Sequence, residues 1–359
     1  PHKITVRCVF VSTTTTQLIR IGYQMYTNSY SYLCKTYTLN YFPLRGIVHT
    51  PKEEDTVMNE LMKQYTFGVE IEFTGMNRKR AATVASKYFQ SEAEYIGGTY
   101  DAYSVVDHQG RTWKFMYDSS IHAQRKNGNW VSDRTYKVEM VTPILHYPDI
   151  ELLQELVRQL RKAGGLVNDS TGLHIHVGGE SFTPQHLRSL INIFTAKEDL
   201  LVQALKIEPA RQNYCQKVNR QMVEVMNKRK PSTLEEFARI WYKEQNAEGT
   251  RNQHYSSSRY HMLNLHSQFY RGTIEYRLFN STLHAGKVKA YIQMVLAITA
   301  QAQTVKYASP IKRSTDNPKY AFRCWMLRMD LIGDEFKTCR KHMLALLDGD
   351  SAWRNGAPK

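Results

Sequence analysis

The chain is 359 residues long, 42% hydrophobic and 23% charged, with 48 Lys and Arg against 33 Asp and Glu for a formal net charge of +15. Such length and apolar content build one large domain or two ordinary ones and exclude a disordered tail. The charge calls for an anionic partner, whether nucleic acid, a phosphorylated ligand or an acidic substrate, without choosing among them.

Residues 1–57 stand apart, with a threonine run ending at Thr16, scattered tyrosines, few carboxylates and no initiating Met. They read as a poorly ordered or appended N-terminal extension ahead of Met58, against the alternative of a small β-rich appendage, and lack a signal-peptide pattern. From Tyr65 onward strands alternate with helices. Period-2 alternation predicts half-buried strands in YTFGVEIEFTG (65–75), RTWKFMYDSS (111–120), TYKVEMVTP (135–143), GLHIHVGG (172–179) and GTIEYRLFN (272–280). Helices are predicted over 148–165, over 183–205 with Thr183 as N-cap and Pro184 at the first helical position, over 232–242 and over 287–303. A closing helical pair falls within 321–347. The fold class is therefore α+β, a mostly antiparallel sheet with helices packed on one side, divided into a catalytic domain at 58–310 and a C-terminal helical segment at 311–359. Five cysteines (Cys8, Cys34, Cys215, Cys324, Cys339) without a Cys-x-x-Cys pair fit neither a disulfide framework nor a thiolate zinc site. A reducing cytoplasm is the expected location, and no run of about 18 apolar residues predicts a membrane span.

The chemistry is carried by the polar faces of four strands. Side chains at i and i+2 share a face, so Glu70 and Glu72 point one way and Val69, Ile71 and Phe73 the other. Two adjacent carboxylates repel and raise at least one pKa unless a cation reverses the sign. His174 with His176 and Glu275 with Arg277 repeat the pattern, and Glu139 stands between Val138 and Met140. Each motif alone is ordinarily solvated charge or hydrogen-bonded histidine. Converging on one cavity, they hold more charge than a structural interior tolerates without metal or phosphate.

FGVEIEF, VEMVTP, STGLHIHV and RYHMLNLHSQFYRGTIEYRLFNSTLHAGKV, in that order, resemble the amidoligase family over residues 65–305. This is a branch of the carboxylate-amine ligases that share a fold with glutamine synthetase and glutamate-cysteine ligase. The resemblance implies a half-barrel funnel floored by antiparallel strands, binding ATP and Mg2+ or Mn2+, in which a carboxylate acceptor and an amine donor are joined through an acyl phosphate. It sets Glu70, His174 and Glu275 on the metal at the terminal phosphates and Glu72 and Glu139 on the metal nearer the acceptor. Arg277 then neutralises the transferring phosphoryl group and His176 lies beside the nucleotide. Arg211 and Tyr214 in ARQNYCQ, and Arg259 and Asn264 in SSRYHMLNLH, are further candidates for nucleotide or substrate contacts, with a solvated basic helix face or a turn role as alternatives. Asp118 is placed to orient the amine. Cys215 is read as a buried structural thiol. Two competing classes are kept: a nucleic-acid-binding protein, supported by composition only and ranked below the ligase, and a metal-dependent hydrolase using the same cluster. The identity of the acid and amine is not legible.

Overall fold

The computed structural model describes residues 53–355, and their side chains from Met58 on. Its elements in chain order are α1 (Glu53–Gln64), β1 (Phe67–Phe73), α2 (Arg78–Phe89), β2 (Ala93–Gly97), β3 (Ala102–Val106), β4 (Thr112–Met116), β5 (Val138–Val141), α3 (Ile150–Lys162), β6 (Gly172–Gly178) and α4 (Pro184–Leu205). There follow α5 (Arg220–Arg229), α6 (Leu234–Lys243), β7 (Leu263–Asn264), α7 (His266–Arg271), β8 (Thr273–Asn280), α8 (Ala285–Thr304), α9 (Pro318–Arg328) and α10 (Lys337–Leu344). The extension expected at 1–57 lies outside the described residues up to position 52, and α1 begins at Glu53, inside the expected boundary.

The eight strands form one antiparallel sheet in the order β2-β3-β4-β5-β1-β6-β8-β7. Its two faces differ in kind. One carries Trp113, Phe115, Val138, Met140, Val69, Ile71, Phe73, Ile175, Val177, Ile274 and Tyr276, all buried. Removing that apolar area from water supplies the main drive for the layer to form, at roughly 25 cal/mol per Å². Helix α8, buried along most of its length, lies against β6 on this side and is ringed by α1, α3, α4 and α10, while α2 covers β3 and β4. The capping reading holds at α4, where the Thr183 hydroxyl accepts the His186 amide and Pro184 occupies the first turn. No described helix is long and apolar enough to cross a membrane.

The strands β2 and β3 and the two-residue β7 were not foreseen. Tyr95 and Ile96 of β2 are exposed, as are its neighbours on the strand, so its sequence has no alternation between core and solvent to read. Beyond the β3–β4 hairpin lies a closed charge network. Asp107 accepts the Trp113 indole N–H at 3.0 Å, the amides of Gln109 and Arg111, and Arg111 Nε at 2.9 Å; the two Nη atoms of Arg111 reach Asp149 at 2.8 and 3.1 Å. Burial would raise both carboxyls, but these donors hold Asp107 and Asp149 below the ordinary range.

Candidate functional site

The opposite face is polar, and the registers arrange it in rows. Lys114, Val141, Glu70 and His174 are successive cross-strand partners on β4, β5, β1 and β6. A second row joins Met116, Glu139 and Glu72, and a third joins Gly68, His176, Glu275 and Asn264. Between Leu173 and Ile175 the β6–β8 register shifts by one residue, so β8 carries an extra residue beside His174. Such a bulge re-aims side chains, and it lies at Arg277.

The sheet thus brings together all seven groups expected to converge. His174 Nδ1 is 3.1 Å from Glu70 Oε2 and 4.0 Å from Glu275 Oε1; His176 Nε2 is 3.3 Å from Glu70 Oε1 and 3.8 Å from Glu275 Oε1. Arg277 Nη1 and Asn264 Nδ2 each donate to Glu275. Asn264 also accepts the His266 amide at 2.9 Å, so it positions Glu275 rather than standing free for a ligand. Glu72 Oε2 accepts the Gly172 amide at 2.6 Å. A Cβ on Gly172 would come 2.5 Å from an Arg211 nitrogen, which is why this strand opens on glycine. The buried Arg211 guanidinium is bound to the backbone carbonyls of Phe279 and Arg277, at 3.0 Å for the latter, and holds β8 in place.

Three sets of donor atoms lie mutually within 4.8 Å: Glu70, Glu139 and His174; Glu70, His176 and Glu275; and Glu72, Asp118 and Glu139. These trios divide the residues differently from the expectation. His176, read as a phosphate neighbour, joins Glu70 and Glu275, while His174 joins Glu139. Asp118, read as orienting the amine, completes the second acidic set. Its Oδ1 is held by the Ser120 amide at 2.6 Å and by the Ser120 hydroxyl.

The electrostatics of the cluster are unsettled. Burial raises Glu72 to about 8, helped by the Asp118 charge, and burial with Glu70, Asp118 and Glu72 raises Glu139 well above the usual range. Burial alone would raise Glu275 and Glu70 as well. Arg277 and His176 instead bring Glu275 down to about 2, and the two histidines hold Glu70 low. His174 is pushed down to about 4 by burial and then by Arg277, so it is neutral and free to ligate; the charges of Glu275 and Glu70 overcome burial and raise His176. No described donor reaches Glu139. Two carboxyls raised by burial and by neighbouring acids, beside imidazoles that face the Glu70 and Glu275 carboxylates, fit a divalent cation, which would supply the missing positive charge.

Two cavities meet at this cluster. One, of about 260 Å³, is lined by Glu70, Glu139, Asp118, His176, Glu275 and Asn264 on its floor and by Tyr100, Lys114, Tyr255, Arg259 and Arg271 toward its rim. The other, of about 640 Å³, lies beyond His176 and shares Glu70, Val141, His176 and Arg271 with the first. Of the other candidates, Arg259 and Asn264 line the smaller cavity, whereas Arg211 and Tyr214 line neither. Tyr214 is exposed, with its ring 5.9 Å from that of Tyr260. Cys215 is buried. Sequence reading missed Lys114, Arg271 and the tyrosines of the rim. Arg271 had a signal, lying four residues before Glu275 at the entry to the strand; Lys114 looked like any exposed lysine on an alternating strand.

A family model described as "Putative amidoligase enzyme" matches residues 63–299. No curated protein matches the sequence. Among solved structures, a bifunctional glutathione synthetase from Pasteurella multocida is similar at a TM-score of 0.36 and 12% identity, over 81% of this chain and 48% of that one. The chain thus spans about half the length of that relative.

Proposed function

The chain belongs to the amidoligase family, and on that premise we propose that it is an ATP-dependent carboxylate-amine ligase forming an amide or isopeptide bond. The observation that supports this best is the convergence of four glutamates, two histidines and an arginine on one sheet face, with two of the acids raised by burial and by neighbouring carboxylates. A carboxylate does not react with an amine at neutral pH because its oxygen leaves poorly. Transfer of the ATP γ-phosphoryl group to that oxygen gives an acyl phosphate and ADP. The amine then attacks the carbonyl carbon, phosphate departs, and nitrogen loses a proton.

Divalent cations, Mg2+ or Mn2+, would be held by Glu70, His176 and Glu275 and by Glu72, Asp118 and Glu139, with His174 beside both sets, and would spread the charge that builds up as two anions meet. Arg277, buried behind the cavity lining, fixes Glu275 and adds a planar cation beside it, a geometry lysine does not reproduce. Asn264 holds the other oxygen of Glu275, so that carboxylate is oriented before any ligand arrives. The larger cavity suits the nucleotide, since its volume of about 640 Å³ lies within the common range for small-molecule sites. The smaller one suits the acceptor acid, with Asp118 on its wall facing the amine's approach.

Hydroxylamine is a small amine that traps acyl phosphates. Incubated with ATP, Mg2+, hydroxylamine and a panel of carboxylic acids, the chain should yield hydroxamate and ADP in equal amounts, only when ATP, metal and the correct acid are all present. Retention of that turnover in Glu70→Ala or Glu275→Ala would show that the assigned site is not where the chemistry occurs.

A further inference from the structure

Three cations line the smaller cavity without an acid of their own. Among the described residues, no carboxylate oxygen lies within 4.0 Å of the side-chain nitrogens of Lys114, Arg259 or Arg271. Arg259 gives one hydrogen bond, to the His254 carbonyl at 3.2 Å, and its guanidinium carbon lies 5.7 Å from the Tyr255 ring centre and 5.9 Å from that of Tyr260. Arg271 meets His254 Nδ1 at 3.4 Å. The acids of the same cavity, Glu70, Asp118, Glu139 and Glu275, all belong to the cation-binding trios. With cations on those trios, the rim is left net positive, and unpaired positive groups around a cavity draw an anion into it.

The register says where that anion would sit. Lys114 and Glu70 are separated only by Val141 in one cross-strand row, on the same face. Two strand spacings put their backbones about 10 Å apart. Arg271 borders both cavities, whereas Lys114 and Arg259 border only the smaller one. Arg259 follows Tyr255 in a segment tied to the turn before β3, where the Tyr100 and Tyr255 hydroxyls meet at 3.0 Å. An acid whose reacting carboxylate lies at cations held by Glu70 and Glu139 has Lys114 and Arg259, which line this cavity alone, available to its far end. At about 260 Å³ against about 640 Å³ for its neighbour, this cavity suits the smaller of the two ligands, a short acid.

We propose that Lys114 and Arg259 form a second-anion subsite, and that the acceptor is a short dicarboxylate of which one carboxylate reacts and the other is held at the rim. This rests on the ligase reading for which end reacts, but the binding itself is measurable without turnover. Calorimetric titration of the chain in Mg2+ with glutarate and with butanoate should show glutarate bound more tightly by about tenfold or more, the effect of one further charge-assisted contact. Lys114→Gln and Arg259→Ala should each shrink that preference, and Lys114→Glu should reverse it. Equal affinities in the unmodified chain, or a preference untouched by all three substitutions, overturn the subsite. The two readings fail separately: hydroxamate formed equally well from butanoate and glutarate removes the subsite and keeps the ligase. A Lys114-dependent preference for glutarate with no hydroxamate from any acid keeps the subsite and removes the ligase.

Discussion

Two clusters of buried charge, one at the turn between β3 and β4 and one on the polar face of the sheet, behave oppositely. At the β3–β4 hairpin, Asp107, Arg111 and Asp149 meet with their principal donors and acceptors engaged, and both acids are held below the ordinary range. On the polar face of β1, β5, β6 and β8, Glu72 and Glu139 are raised, acids crowd one another, and no described donor reaches Glu139. The first is charge arranged for the fold. The second is charge that the fold tolerates at a cost, which is the pattern expected where a ligand completes the set.

The largest test of this contrast is removal of a central acid. Glu275→Ala should lower hydroxamate formation on the order of 10³-fold, the scale of losing a preorganised electrostatic group, while melting shows the fold intact. Arg111→Ala should do the reverse. It strands the buried Asp107 and should cost about 3 kcal/mol in urea unfolding, with metal affinity unchanged. Its pH signature is also fixed: depressed carboxyls stabilise the fold above the ordinary acid pKa of about 4, and that stability is lost as pH falls through their lower folded values. Arg111→Ala should flatten this acid limb.

Glu72 carries the opposite sign. Its carboxyl ionises at about 8 in the fold against 4.5 ordinarily, so the metal-free protein loses stability as pH climbs from the ordinary range through 8. Glu72→Gln should therefore raise metal-free stability at pH 8 by about 1–2 kcal/mol and weaken Mn2+ binding. The unmodified chain should release protons on taking up metal, with affinity rising between pH 6 and pH 9. The smallest effect concerns the histidines: His174→Asn and His176→Asn should each weaken Mn2+ binding by about tenfold, since each ring contacts Glu70 within 3.3 Å.

That last expectation shows what sequence alone delivers. Period-2 alternation was enough to place Glu70, Glu72, His174, His176 and Glu275 on one face, because a strand with one buried side cannot slip register without exposing Val69, Ile71 and Ile175. Which histidine meets which acid depends on the order of strands and on the one-residue shift opposite His174, and neither is written in a local pattern. The same limit explains Arg211 and Lys114. A basic segment after a helix suggested ligand contact for Arg211, yet it is tied to backbone carbonyls behind the site. Lys114 became visible only when pairing put it two strands from Glu70. The exposed β2 had no periodicity to declare it.

The central claim is that the polar face is a divalent-cation site. Crystals soaked in millimolar Mn2+ and measured for anomalous scattering test it directly. Peaks within ligating distance of Glu70, His176 and Glu275 and of Glu72, Asp118 and Glu139 are the predicted result. An absence of anomalous density from that face at millimolar Mn2+ above pH 8, where Glu72 has ionised, would contradict it.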